Sequence, residues 1–217
     1  MDTERLSGQQ IADARLENWR LVGRFLRTRL LTGDFARGVE AVTAIAAAAE
    51  EANHHPDIDL RYGSVDISVR SHDARGITTR DLNLARQIDQ IATDLGIRLD
   101  PSAQQSFQLA IDTDDMARIA PFWAAVLDYE RDPDEDDTLI PRAGDAPVVW
   151  FQPSEHRDGR GRIHLDLCLP HDQVMKRMTA ALEAGGHLVT DDFAPSWWVL
   201  ADADGNEVCL CTWQPRD

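Results

Sequence analysis

The sequence predicts an α+β protein built as two domains, residues 1–100 and 101–217. Three observations carry that expectation. Residues 1–100 mix apolar residues at helical spacing with two short alternating runs. Residues 101–217 show an order of strand, helix and strands twice, about 55 residues apart, the mark of two fused copies of one motif. The composition also shifts: residues 1–100 carry a net charge of −3 and residues 101–217 a net −13, with five of the six tryptophans. Between them, IRLDPSAQQS (97–106) reads as a linker, because Gly96 stops a helix and Pro101 resists its restart. The boundary is expected near residue 101.

In the first domain, Arg27–Leu31 is an early strand. A helix is expected from about Asp34, which can cap it, to Asn53, with Pro56 preventing continuation. Phe35, Val39, Val42, Ala46 and Ala49 form its expected buried stripe. Ile58, Leu60 and Tyr62 share one parity and Val65, Ile67 and Val69 the other, with the change at Gly63–Ser64, so a hairpin with one buried face follows. A second helix runs from about Thr79 to Leu95, with Leu84, Ile88, Ile91 and Leu95 as its stripe and a capping box formed by Thr78 and Asp81. Together these give an antiparallel sheet with helices on one face.

In the second domain, Phe107–Ile111, Val148–Gln152, Ile163–Leu169, His187–Thr190, Trp197–Ala201 and Glu207–Thr212 read as strands. Met116–Leu127 and Gln173–Ala184 read as helices. Arg131–Ala146, acidic and rich in turn residues, reads as a mobile loop.

Composition excludes several classes. A net charge of −16 opposes nonspecific nucleic-acid binding, which needs a basic surface. No apolar run approaches the roughly 20 residues of a membrane span. MDTERLSGQQ has neither a basic n-region nor an apolar h-region, so no secretory signal is expected. Cys168, Cys209 and Cys211 then read as reduced thiols of a cytoplasmic protein.

The main chemical signal is Glu50, His54, His55, Pro56, Tyr62, His72 and Asp81. Glu50 and His54 lie four apart at a helix C-terminus and share a face, so the carboxylate can orient the imidazole. His55 leaves the helix, His72 ends the second hairpin strand, and Asp81 opens the next helix. Three imidazoles from three element ends suit proton transfer in both directions near neutral pH. A His-His-Pro sequence alone is usually only an exposed helix end. Zinc is disfavoured here, since no cysteine accompanies the histidines.

The segment EEANHHPDIDLRYGSVDISVRSHDARGITTRD, residues 50–81, resembles the signature of the pterin-4a-carbinolamine dehydratase family. The resemblance spans about residues 5–98 and extends to Trp19 and to GITTRDLNLARQID. It implies a dehydratase-type sheet and dehydration of 4a-hydroxytetrahydropterin (4a-hydroxytetrahydrobiopterin) to the quinonoid dihydropterin, without metal or cofactor. His54, His55 and His72 are the implied catalytic residues. Glu50 would orient His54, Asp81 would fix a histidine or bind the pterin, and Pro56 and Tyr62 belong to the same signature. The family also implies a homo-oligomer, dimer or tetramer, and includes members that act as transcriptional partners, so a non-catalytic dimerisation module is the alternative.

DMARIAPFWAAVLDYE, RIHLDLCL, EAGGHLV and WWVLADADGNEVCLC resemble the glyoxalase-like, vicinal-oxygen-chelate superfamily over about residues 105–214. This implies paired βαβββ modules and leaves open a lyase, isomerase or dioxygenase-type activity. The family's metal-ligand positions fall on Gln108, His164 and Cys209, and near Gln152. Glu207 is expected on the other side of the strand from Cys209. Gln152 and Cys209 stand where the metal-binding members have carboxylates, and two glutamines and a histidine with a cysteine are an unusual donor set, so a metal-free pocket is expected. Cys209 and Cys211 share a strand face and need no function as small buried hydrophobes. Trp197 and Trp198 would line a flat pocket or fill core.

Overall fold

The structure, a computed structural model, describes residues 3–142, 146–154, 163–201 and 207–215. Contacts divide it into two units, Met1–Gln105 with Pro170–Gln173, and Ser106–Leu169 with Val174–Asp217.

The first unit runs α1 (Gly8–Asp13), β1 (Arg20–Val22), β2 (Phe25–Leu31), α2 (Phe35–Ala52), β3 (Asp57–Leu60), β4 (Ser64–Val69), α3 (Thr79–Asp94) and β5 (Arg98–Leu99). The sheet has the order β1-β2-β4-β3, with β5 also paired to β2, and every pairing is antiparallel. Alternation decides its faces. Leu26 and Leu30 of β2 and Val65, Ile67 and Val69 of β4 point one way and are almost fully buried. Against them pack Ile11 of α1, Ala41 and Ile45 of α2, and Leu84, Ala85 and Ile88 of α3. The helices therefore cover one face, as expected.

The helix caps follow the sequence. Asp34 accepts from the Arg37 N–H at 2.8 Å to start α2. Thr78 and Asp81 form the capping box of α3. The buried stripe of α2 matches expectation at Ala49 and, half-buried against the core, at Val42, and differs at the other positions. Gly38, Ala41, Ile45 and Ala49 face the sheet, whereas Phe35 and Val39 are 49% and 44% exposed and Ala46 is exposed. Close approach selects the small-residue face: a Cβ on Gly38 would stand 2.5 Å from Leu60 Cδ1. The expected hairpin forms, and its register sets Ile58 opposite Ile67 and Leu60 opposite Val65. Tyr62 lies beyond the end of β3, in the turn. The expected linker begins inside the first unit, since Ile97 is buried and Arg98–Leu99 pairs with β2.

The second unit contains β6 (Ser106–Thr113), α4 (Met116–Leu127), β7 (Tyr129–Arg131), β8 (Thr138–Pro141) and β9 (Val149–Pro153). It then repeats the order with β10 (Ile163–Cys168), α5 (Val174–Glu183), β11 (His187–Thr190), β12 (Trp197–Ala201) and β13 (Glu207–Cys211). This is βαβββ twice, in one sheet of order β11-β12-β13-β10-β6-β9-β8-β7. Each module pairs its first and last strands in parallel, β6 with β9 and β10 with β13, and the two first strands join antiparallel. Each half has its own core: Ile111, Val149 and Phe151 with α4, and Leu200, Leu210 and Trp198 with α5. Within Arg131–Ala146, expected as a loop, Arg131 instead ends β7 and Thr138–Pro141 form β8, the two strands pairing antiparallel. Residues 143–145 of that segment lie outside the described residues.

The opposite sheet face of the first unit is held by charge. Arg29 and Asp66 face each other across β2 and β4 in a bidentate pair at 2.7 Å, and Gln104 donates to the same carboxylate at 2.8 Å. Burial alone would raise the Asp66 pKa, but the hydrogen bonds from Arg29 and Gln104 outweigh it and hold the carboxyl below its ordinary range. A depressed carboxyl pKa gives stability that is present above the unfolded value, about 3.9, and lost as pH falls through the folded one. We expect Asp66→Asn to lower neutral-pH stability by about 1 kcal/mol. Denaturation at several pH values should show the deficit shrinking below about pH 4; a deficit constant down to low pH contradicts the assignment.

Candidate active site

The first candidate site is assembled where α2 ends. Asn53 takes the left-handed conformation (φ 45), which asparagine tolerates, and the N–H groups of Asn53 and His54 bond back to the Glu50 and Ala49 carbonyls. This closure turns the chain sharply and sends consecutive side chains to different surroundings. His54 is buried, and its Nε2 lies 2.8 Å from Asp81 Oδ1. His55 is exposed, and its Nε2 lies 3.1 Å from Glu50 Oε1. The expectation that Glu50 orients His54 is thus corrected. The helix-terminal turn rotates His54 away from the i+4 position and brings His55 onto Glu50 instead. Pro56, half-buried, follows and leads into β3.

Asp81 has no solvent exposure. Its Oδ2 accepts from Ser71 Oγ at 2.7 Å, the Thr78 N–H at 2.7 Å and Thr78 Oγ1 at 3.2 Å, and its Oδ1 faces His54. Acting as an acceptor on both oxygens, it assigns the hydrogen to His54 Nε2 and leaves Nδ1 as the other ring nitrogen. His72 is exposed in the turn after β4, which is closed by Ser71 and Gly76 bonding each other's backbone. It is the residue next to Ser71, so the same carboxylate fixes both ends from which the histidines project. Tyr62 is 77% exposed in the β3–β4 turn. Sequence reasoning missed Ser71; a serine bonded to a carboxylate ten residues on leaves no periodic signal.

The second candidate site lies on the sheet face away from α4 and α5. Gln108, Asp166 and Cys209 sit side by side on β6, β10 and β13. His164 lies two residues from Asp166 on the same face, opposite Ala110. Gln152 pairs with Asp112 further along. Asp166 is buried; its Oδ2 accepts from Trp150 Nε1 at 2.7 Å. Its Oδ1 has no hydrogen-bond partner among the described residues, although His164 Nε2 stands 3.4 Å away. We read that contact as an ion pair without good hydrogen-bond geometry. The Asp166 carboxylate raises the His164 pKa against the effect of burial. Burial, first, and then the charge of Asp166 push the Cys209 thiol well above its ordinary range.

Glu207 lies two residues from Cys209 on β13, and residues two apart on a strand share a face. The expectation that it faces away is therefore corrected, and its charge acts on both His164 and Cys209. A cavity of about 300 Å³ beside this row is lined by Gln108, Glu135, Asp137, Thr138, Val148 and Trp150. Trp198 belongs to the α5 core, while Trp197 stacks on Phe193 with ring centroids 4.8 Å apart.

The family model described as pterin 4 alpha carbinolamine dehydratase matches residues 4–91. A Nocardia farcinica protein named "Putative pterin-4-alpha-carbinolamine dehydratase" is 43% identical over 94 residues, 42% of this chain and 99% of that protein. The chain belongs to the pterin-4a-carbinolamine dehydratase family. A relative of the same name from Roseiflexus sp. is 39% identical over 89 residues, 40% of this chain and 96% of its own length. In this dehydratase-family chain, residues 108–211 match a glyoxalase-like domain. A solved transcriptional coactivator/pterin dehydratase from Brucella melitensis is 27% identical, covers 41% of this chain and 99% of its own, and has a TM-score of 0.40.

Ser71→Ala removes one donor from the buried Asp81 carboxylate, and hydrogen bonds to charged groups contribute about 1.5–3 kcal/mol. We expect that loss in urea denaturation, against a change within about 0.5 kcal/mol for the exposed His72→Ala. Equal small effects would deny the network its structural role.

Proposed function

We propose that the first unit dehydrates a 4a-hydroxytetrahydropterin, 4a-hydroxytetrahydrobiopterin or a close analogue, to the quinonoid dihydropterin. The observation that carries this reading is the pair of adjacent histidines at the end of α2, one locked on buried Asp81 and the next exposed on Glu50, in a chain of this family. In the reaction the C4a–O bond breaks, the hydroxyl leaves with an added proton as water, N5 loses its proton, and a C4a=N5 double bond forms. One group must give a proton and another must take one, within hydrogen-bond reach of the substrate. His55 and His72, the two exposed rings, fit these tasks. His54 has little surface to offer, and its bond to Asp81 suits it to holding the site's floor in one orientation. Glu50 orients His55; at an exposed pair the value lies in orientation more than stability. Pro56 and Tyr62 are proposed to contact the pterin.

His55→Ala and His72→Ala should each lower the dehydration rate by about 100-fold or more, the scale of one positioned acid or base. Stopped-flow assays of the full chain with a generated carbinolamine read this directly. Full activity in both folded variants would refute the assignment.

We further infer that the chain self-associates through its first unit. Phe35 and Val39 form an exposed apolar ridge on α2, and β3 is an open edge of its sheet. Light scattering should find a dimer or tetramer in the wild type and a smaller species when Phe35→Asp and Val39→Asp are combined; a wild-type monomer at micromolar concentration contradicts this. Among the described residues Cys168, Cys209 and Cys211 form no disulfide, which suits a reducing compartment and supports a cytoplasmic location. Among the described residues no helix is long and apolar enough to cross a membrane.

A further inference from the structure

Parity alone sets Cys209 and Cys211 on one face of β13, and the pairing register adds Cys168 to them. β10 and β13 run parallel, with Asp166 opposite Cys209 and Cys168 opposite Cys211 two residues further along the same face. The two thiols hydrogen-bond to each other, and both residues are half-buried. We propose that Cys168 and Cys211 are a redox pair, which a hydroperoxide converts to a disulfide joining β10 to β13.

The backbone suits the bond. Neighbouring strands lie about 4.7–4.9 Å apart, within the roughly 4.4–6.8 Å that a disulfide sets between Cα atoms. Residues opposite each other on one face aim their Cβ atoms the same way, so the sulfurs meet without a turn of the chain. The register also selects the partner. Cys168 and Cys209 are diagonal neighbours, roughly 7–8 Å apart, at or beyond the reach of the bond, and Cys209 faces Asp166 instead. Cys168 and Cys211 each end their strand, where a small closing disturbs only the last hydrogen bonds of the ladder. β10 and β13 are the first and last strands of the second βαβββ module, so the bond would hold α5, β11 and β12 inside one covalent loop. In the reaction one thiol, as thiolate, attacks a peroxide oxygen. The O–O bond breaks, giving a sulfenic acid and, from hydrogen peroxide, water. The second thiol attacks that sulfur, the S–O bond breaks, and a second water leaves. Two thiols lose two electrons and two protons, and the peroxide takes them up. The hydrogen bond with Cys168, then burial and the charge of Asp166, push the Cys211 thiol well above its ordinary range. The thiolate is scarce at neutral pH, so the pair stays reduced at low peroxide and reacts under sustained excess.

The test exposes the full chain to hydrogen peroxide, blocks remaining thiols with iodoacetamide, and maps unreduced peptides by mass spectrometry. The expected result is a peptide pair joined through Cys168 and Cys211, with Cys209 alkylated, and release of the pair by dithiothreitol. Bond formation should accelerate by about tenfold per pH unit between about pH 7 and 9, following the thiolate. The bond should form in Cys209→Ser and be lost in Cys168→Ser and Cys211→Ser. The wild-type map is read without any variant, so a variant that fails to fold leaves the test standing. Three alkylated thiols after excess peroxide, a bond through Cys209, bonds only between chains, or sulfinic acid with no disulfide would overturn the proposal.

Discussion

A carboxylate buried away from water is unfavourable unless donors surround it. Asp81 meets that condition by drawing on three separate elements: the end of α2 through His54, the turn after β4 through Ser71, and the start of α3 through Thr78. The first unit folds around this arrangement. Moving any one element would strand a charge in the interior, so the elements hold each other in place, and the histidines at their ends inherit the same precision. A group used to cap a helix is also the group that fixes the orientation of a ring.

Much of the first unit was readable because local rules act over short spacings. Asp34 and Thr78 occupy cap positions that satisfy free N–H groups, and alternation in Ile58–Leu60 and Val65–Val69 fixes the hairpin register. The stripe of α2 was readable only at Val42 and Ala49. An alanine-rich helix offers more than one apolar face, and the choice depends on how near the sheet comes; Gly38 and Ala41 permit the approach that Phe35 and Val39 would block. The short elements α1, β1 and β5 carry too few residues to show a period.

The candidate sites divide along the same line. Glu50 and His54 obey helical spacing only while the helix lasts, and the left-handed Asn53 ends it one residue too early for them to meet. In the second unit the row from Gln108 through Asp166 to Cys209 crosses three strands far apart in sequence, and only the pairing register reveals it. Asp166 and Glu207 were within reach of simple parity, since each lies two residues from a residue already singled out. The βαβββ repeat was readable in outline, but β8 lies in so acidic a stretch that only its pairing with β7 and β9 marks it as a strand.

The central claim is that His54 is locked on Asp81 while His55 and His72 remain free to meet a ligand. Imidazole NMR of the full chain, with and without a stable dihydropterin, addresses it most directly. The account predicts one histidine, assigned through His54→Gln, whose Nε2–H is protected from solvent exchange and unmoved by the pterin, with the His55 and His72 resonances shifting on binding. A His54 ring proton exchanging as fast as those of the exposed rings, or pterin-induced shifts that leave His55 and His72 untouched, would contradict it.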